Sequence, residues 1–478
     1  METEIKLAPL SIRTTPTTLS IPEVLSCIFN LLEKDHKSLV SAACVNQIWF
    51  SEATRLLWAN SDMSALMAVE ASRRSIYAPK ICDFTIRSVP DHLNLDFRLL
   101  RVLRLNNLPE LRDENLNQYL QPSLEEVNLR YWPPTQFLYG LNQYCQSLRD
   151  FAHTDPQVDK RPGLVEFFTM NKSLRRIRLT LHPHDQDEIL AAIAALSKVT
   201  SLEDLTTIGE IPINALLQLR EPHSPSPFES VRRVRIKVGV PALPLLSTTF
   251  SAIASLSLEL VINSDDHALD ALVGLPLEYL HVHVAAGVKL STQELLFLRD
   301  MKSLQSLIIG PTPLGRMERM PKFEISNDQF KQIFENLSNL ESMVNWFAVD
   351  IANPDAALED LGRSCPKLKN LRWYSSIDMT AWWDIPGPLF PSLKFAWVSS
   401  VSDRNLLSDT NESTAQLLAE ILDRHAPELD RFVALNGYDF RTTNVDQLSQ
   451  LTMRAHGRIK EIGQTKHAKE KNREVTGR

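Results

Sequence analysis

Three stretches decide how this chain is built: Leu100-Arg-Val-Leu103-Arg-Leu105, Leu124-Glu-Glu-Val127-Asn-Leu129 and Leu174-Arg-Arg-Ile177-Arg-Leu179. In each, the apolar fourth and sixth places flank a polar fifth, the period-two pattern of a strand with one buried face. With conservative replacements the pattern recurs at Ile81/Phe84/Ile86, Leu148/Phe151, Leu202/Leu205, Val231/Val234/Ile236, Ile253/Leu256/Leu258 and Leu277/Leu280/Val282. It continues at Leu304/Leu307/Ile309, Leu340/Met343, Leu368/Leu371/Trp373, Leu393/Ala396/Val398 and Leu429/Phe432. From Leu100 to Leu429 the spacing ranges from 22 to 36 residues with a mean near 27.

Several intervals carry a helical pattern: Gly163 to Met170, Asp187 to Leu196, Thr292 to Arg299, Asn327 to Leu337, Pro354 to Leu361 and Thr414 to His425. A short strand followed by a helix, repeated, predicts an α/β solenoid with a parallel sheet on its concave face and helices on its convex face. The period and pattern resemble leucine-rich repeats, in an irregular array. Cys145-Gln-Ser-Leu-Arg-Asp-Phe and Cys365-Pro-Lys-Leu-Lys-Asn-Leu resemble the cysteine-containing variety of that repeat.

A different pattern precedes the array. Pro22 stands where a helix starts without losing a needed hydrogen bond, and Glu23 puts negative charge in the first turn. Val24, Leu25, Ile28, Phe29 and Leu32 then form one helical stripe, with two further short helices expected around Leu39 to Cys44 and Ile48 to Leu57. Some forty residues in three helices bury little surface unaided, so the unit is expected to dock on something. The block Ile21 to Trp58 resembles an F-box; it departs from the usual pattern at Ile21 and at Asn46-Gln47 before Trp49. The resemblance implies binding to a Skp-type adaptor and, through it, to the cullin and RING subunits of an SCF-type ubiquitin ligase. It assigns the adaptor contacts to Ile21, Pro22, Leu25, Ile28, Phe29, Leu39 and Val45. The expected organisation is a disordered segment 1–18, the F-box-like unit 19–60, a helical linker 61–78, repeats 79–445 and a basic, disordered tail 446–478.

No apolar run approaches the roughly 18 residues that span a bilayer, and residues 1–20 lack the apolar core of a signal peptide. The five cysteines form no CxxC pair and read as reduced, mostly buried thiols. A cytoplasmic or nuclear protein is expected, without membrane contact. The formal charge is −7, although Arg454 to Arg478 hold eight basic residues against three acidic ones. The acidic remainder argues against general affinity for nucleic acid.

Nucleotide-binding, nucleophile-elbow and zinc-protease motifs are absent, and no cofactor is implied, so a non-catalytic protein is expected. If the fourth and sixth places of each repeat point inward, the third, fifth and seventh project from the open face of the sheet. Those places hold a basic set, Arg176, Arg178, Arg233 and Arg235 together with Arg130 and Lys237, suited to an acidic or phosphorylated target. They also hold an aromatic set toward the C-terminus: Trp346, Arg372, Tyr374, Phe395 and Trp397, with His281 and His283 on an earlier strand. Large rings beside arginine are the usual anchors of protein interfaces. The expected function is target recognition for a ubiquitin ligase; the alternative is a ligase-independent scaffold that uses the same surfaces.

Overall fold

The computed structural model describes residues 21–88, 94–106, 116–155, 161–181, 186–220, 227–261, 269–284, 295–311, 322–345, 348–351, 354–377, 379–401, 412–434, 453–454 and 456–457. The chain divides into two units, Met1–Thr180 and Leu181–Arg478. Both are built from parallel strands that follow one another in chain order, consistent with a leucine-rich-repeat array.

The first unit opens with α1 (Pro22–Leu31), α2 (His36–Ala43) and α3 (Gln47–Ala59). Asp35 caps α2 by accepting from the Ser38 amide at 3.2 Å. Asn46 caps α3, its Oδ1 accepting from the Ile48 and Trp49 amides at 2.9 Å each. The residue that departs from the F-box pattern thus satisfies orphan donors at the start of a helix. Leu25, Phe29, Leu39, Ala42 and Ala53 form the core of this unit, with Trp49 edge-on to Phe29 at 5.3 Å.

Six strands follow: β1 (Asn60–Asp62), β2 (Asp83–Ile86), β3 (Val102–Leu105), β4 (Glu126–Leu129), β5 (Asp150–His153) and β6 (Arg176–Thr180). β1 pairs in parallel with β2, so the sheet begins at the boundary between the F-box-like unit and the segment read as a helical linker. That segment is otherwise helical, at Met63–Ala68 and Ala71–Tyr77. The second unit carries β7 (Asp204–Ile211), β8 (Arg233–Gly239), β9 (Ser255–Val261), β10 (Tyr279–Val284), β11 (Ser306–Pro311), β13 (Ser342–Asn345), β15 (Asn370–Ile377), β16 (Phe395–Val401) and β17 (Arg431–Ala434). A separate parallel pair, β12 (Lys322–Ile325) and β14 (Ala348–Ile351), has no counterpart in the repeat pattern.

All fourteen repeat phases seen in the sequence are strands of these two series. One hydrogen-bond motif joins successive repeats: two consecutive amides donate to one carbonyl of the repeat before. Glu125 and Glu126 donate to Arg101 O, Arg149 and Asp150 to Glu125 O, and in the second unit Lys369 and Asn370 to Glu341 O. The first leucine of a phase usually closes a turn by donating three residues back, as Leu148 does to Cys145 O and Leu368 to Cys365 O. That turn buries both cysteines. Cys27 and Cys44, by contrast, are exposed, because their helices have no interior on that side.

Helices Leu164–Met170, Gln186–Leu196, Asn327–Phe334, Pro354–Ser364 and Glu412–His425 lie within a few residues of their expected positions. The segment read as a helix from Thr292 is described only as a 3-10 turn, Leu296–Asp300. Helices Thr135–Tyr144, Ile213–Gln218 and Leu243–Thr249 were not legible in the sequence, since all three start beside a proline. Among the described residues no helix is long and apolar enough to cross a membrane.

Candidate functional site

Two surfaces are candidates for interaction, and the structure redraws both. On the three-helix unit, Leu25, Phe29 and Leu39 are fully buried. They hold the helices together and cannot serve as contact anchors, which corrects the sequence assignment: a helical stripe faces whatever interior exists, and here the interior is the unit's own. Ile28 is half-buried, while Ile21 and Val45 are exposed, Val45 by 58%. Pro22 is the first residue of α1; its side chain lies outside the described residues. Three exposed apolar residues were missed: Leu31, Val40 at 55% exposure, and Ile48. Their signal was available, because an apolar residue off the stripe of so small a unit has no core to enter.

The open face of the strands shows the expected alternation, with the burial of β2, β3, β4 and β5 switching at every residue. The basic set does not form the free strip anticipated. In the first unit Arg176 pairs with Asp150 directly across the β5–β6 register, Nε to Oδ1 at 2.6 Å. Arg104 on β3 pairs diagonally with Asp83 on β2, two residues from its register partner Thr85. In the second unit Arg233 pairs with Asp204 at 3.3 Å and Lys237 with Glu259 at 2.7 Å. These are cross-strand ladders, each rung worth roughly 0–1 kcal/mol at such exposure. Arg178 and Arg235 are exposed and, among the described residues, belong to no such pair.

On β10, Tyr279 is exposed and His281 half-buried, but His283 is buried, which corrects its assignment to the open surface. The two imidazoles are in contact, centroids 3.9 Å apart. Burial lowers the His281 pKa to about 4, and the neighbouring His283 and Arg235 add to the shift. Both the exposure and the charge state therefore suit His281 to neutral packing rather than to acid–base work at neutral pH.

The C-terminal aromatic set is partly assembled. Arg372 is exposed, and its guanidinium carbon lies 5.6 Å from the Phe395 ring centroid. Arg431, which the sequence reading passed over, lies 5.9 Å from the same ring. It occupies the third place of its repeat, so the positional rule already contained it. Arg372 stands directly across from Trp397, and Phe395 across from Asn370 on one side and Arg431 on the other. Phe395 and Trp397 are half-buried. Tyr374 is a residue of β15 whose side chain, like the whole of Trp346, lies outside the described residues. Trp382 is buried, packing 5.8 Å from Phe390; Trp383 is exposed under Arg424, 5.0 Å away.

Among the described residues no group of three or more His, Cys, Asp or Glu side chains could hold a metal ion. Burial pushes the Cys145 and Cys365 thiols up to about 12, which leaves them unreactive at neutral pH. No protein-family model matches the sequence, and no curated protein does. Among solved structures, the chain is similar to an internalin from Listeria monocytogenes, with a TM-score of 0.36 and 14% identity over 84% of this chain and 92% of that one. The repeat assignment rests on the strand register and the recurring hydrogen-bond motif, which stand independently of that likeness.

Proposed function

We propose that this chain is the target-recognition subunit of an SCF-type ubiquitin ligase, holding a Skp-type adaptor through its N-terminal helices and a target protein through its repeats. The repeats themselves mark a protein-interaction scaffold; the ligase assignment rests on the F-box resemblance of Ile21 to Trp58. The observation that carries it furthest is the pairing of a minimal core with an apolar exterior. Five residues form the buried core of α1 to α3, while Leu31, Val40, Val45 and Ile48 face solvent. A unit of this size with that much apolar surface outside is built to be covered by a partner. In this reading the chain performs no chemistry and works in the cytoplasm or nucleus, raising the local concentration of a bound target near the ubiquitin-carrying enzyme.

The test is affinity purification of the full chain and of the V40D/V45D variant. Recovery of adaptor and cullin with the native chain, lost in the variant at unchanged thermal stability, supports the proposal. Adaptor without cullin would favour a ligase-independent scaffold, and recovery of neither removes the F-box reading.

A further inference from the structure

We propose that the open face of β15, β16 and β17 binds an acidic peptide segment of the target, one that presents carboxylate side chains on either side of an apolar residue. This deepens the receptor reading above and rests on it for the word target, but its chemistry is argued from the second unit alone.

The charge pattern along the sheet changes partway through that unit. On β7 to β9 the cations Arg233 and Lys237 are neutralised by Asp204 and Glu259 on adjacent strands. From β10 onward the strands of the main series, β10, β11, β13, β15, β16 and β17, contain no acidic residue. Two of them carry an arginine on the open face, Arg372 and Arg431, and neither guanidinium has an ion pair or hydrogen bond among the described residues. Both guanidinium groups lie against Phe395 instead, at 5.6 and 5.9 Å. An arginine packed on a ring keeps its planar fork of donors in a restricted region, so less freedom is lost when it meets a carboxylate.

The geometry sets the spacing of the ligand. Phe395 stands directly across from Arg431, and Arg372 directly across from Trp397, so two half-buried rings form an apolar floor between two donor groups. β15 and β17 are two strand spacings apart, about 10 Å. An extended peptide advances about 3.3 Å per residue, so carboxylates about two to four residues apart, with an apolar side chain between them, span the two arginines. Arginine and carboxylate pair through two parallel hydrogen bonds, and the ring floor removes the central side chain from water. The chain's own basic tail is excluded as occupant by its sign: Arg454 to Arg478 hold eight basic residues against three acidic ones.

The experiment uses a random 12-residue peptide library displayed on phage, selected against the purified full chain. Selected peptides should carry Asp or Glu flanking an apolar residue. The best of them, labelled and measured by fluorescence anisotropy, should lose at least ten-fold in affinity to R372Q/R431Q, whose thermal melt should match the native one. Neutral or basic selected peptides, no selection at all, or equal affinity for R372Q/R431Q would overturn the proposal. So would a face that binds only phosphoserine versions of the same peptides. R372Q/R431Q should still recover the Skp-type adaptor; loss of adaptor from the native chain with peptide binding intact would sink the ligase reading and leave this site standing.

Discussion

The Trp58 indole stacks on the Tyr77 ring, centroids 4.6 Å apart and planes 19° from parallel. This contact fastens the end of α3 to the helix that leads into β2. Around it, Arg73 donates to the Tyr77 hydroxyl at 3.1 Å, and Lys80 donates to the Ser51 carbonyl at 3.2 Å while lying over the Phe50 ring. The three-helix unit is thereby clamped to the first repeats instead of hanging from a linker. Tyr77→Ala removes the centre of the clamp and should cost about 3 kcal/mol. Denaturant unfolding should show the loss, with faster proteolysis between residues 60 and 80; an unchanged midpoint would mean the stack holds nothing together.

Leu25 and Val45 separate folding from docking. Leu25 is wholly buried, so Leu25→Ala should cost about 2–5 kcal/mol. Val45 is exposed, so Val45→Asp should change stability by no more than about 0.5 kcal/mol while weakening adaptor recovery. Equal effects of both on stability would show that the unit's interior has been misplaced.

His153 makes the first unit acid-sensitive. It fills a core place that Leu129 and Leu179 hold on the adjacent strands. Neither ring nitrogen has a hydrogen-bond partner among the described residues. Burial drives its pKa from 6.5 down to about 3, with Arg161 contributing. The unfolded chain therefore takes up a proton near pH 6.5 and the folded chain only near pH 3. Across that window the unfolded state holds more protons, so stability falls as pH falls and the loss is complete below the folded value. His153→Leu should flatten the profile between about pH 7.5 and about pH 4.5. Urea midpoints at the two values would check it: a native-like slope in the variant would rule His153 out.

Gly209 sits in a bulge of β7 with φ +108°, where an added Cβ would collide with the Leu181 carbonyl oxygen. Gly209→Ala combines that clash with a backbone conformation that L side chains rarely adopt. It should destabilise the second unit by about 3 kcal/mol. A thermal melt within a degree or two of native would show that the bulge relaxes freely.

Much of the architecture was legible because burial of one strand face leaves a period-two mark that survives irregular spacing. Leu340/Met343 and Leu429/Phe432 show it with only two anchors each, and both are strands. Polar residues in core places hid the rest: His153 stands where the pattern asks for leucine. The basic set was misread for a different reason. Arg176 finds its acid in Asp150, 26 residues earlier, a pairing that depends on register rather than on local sequence. Leu25 and Val45 were given one role because the F-box resemblance assigns contacts by place in the motif, which carries no information on burial.

The sequence by itself determined the strand-and-helix repeat, the helical unit before it, and, with exceptions such as His283, which side chains alternate to the open face. These follow from local periodicity, which needs only the chain's neighbours along itself. Only the tertiary structure decided which of those side chains remain free. Among the described residues Arg233 is neutralised by Asp204 and Arg372 is not, because neutralisation depends on what the next strand places within reach. Exposure on the helical unit was decided in the same way, since three helices can bury only the stripe they turn toward one another.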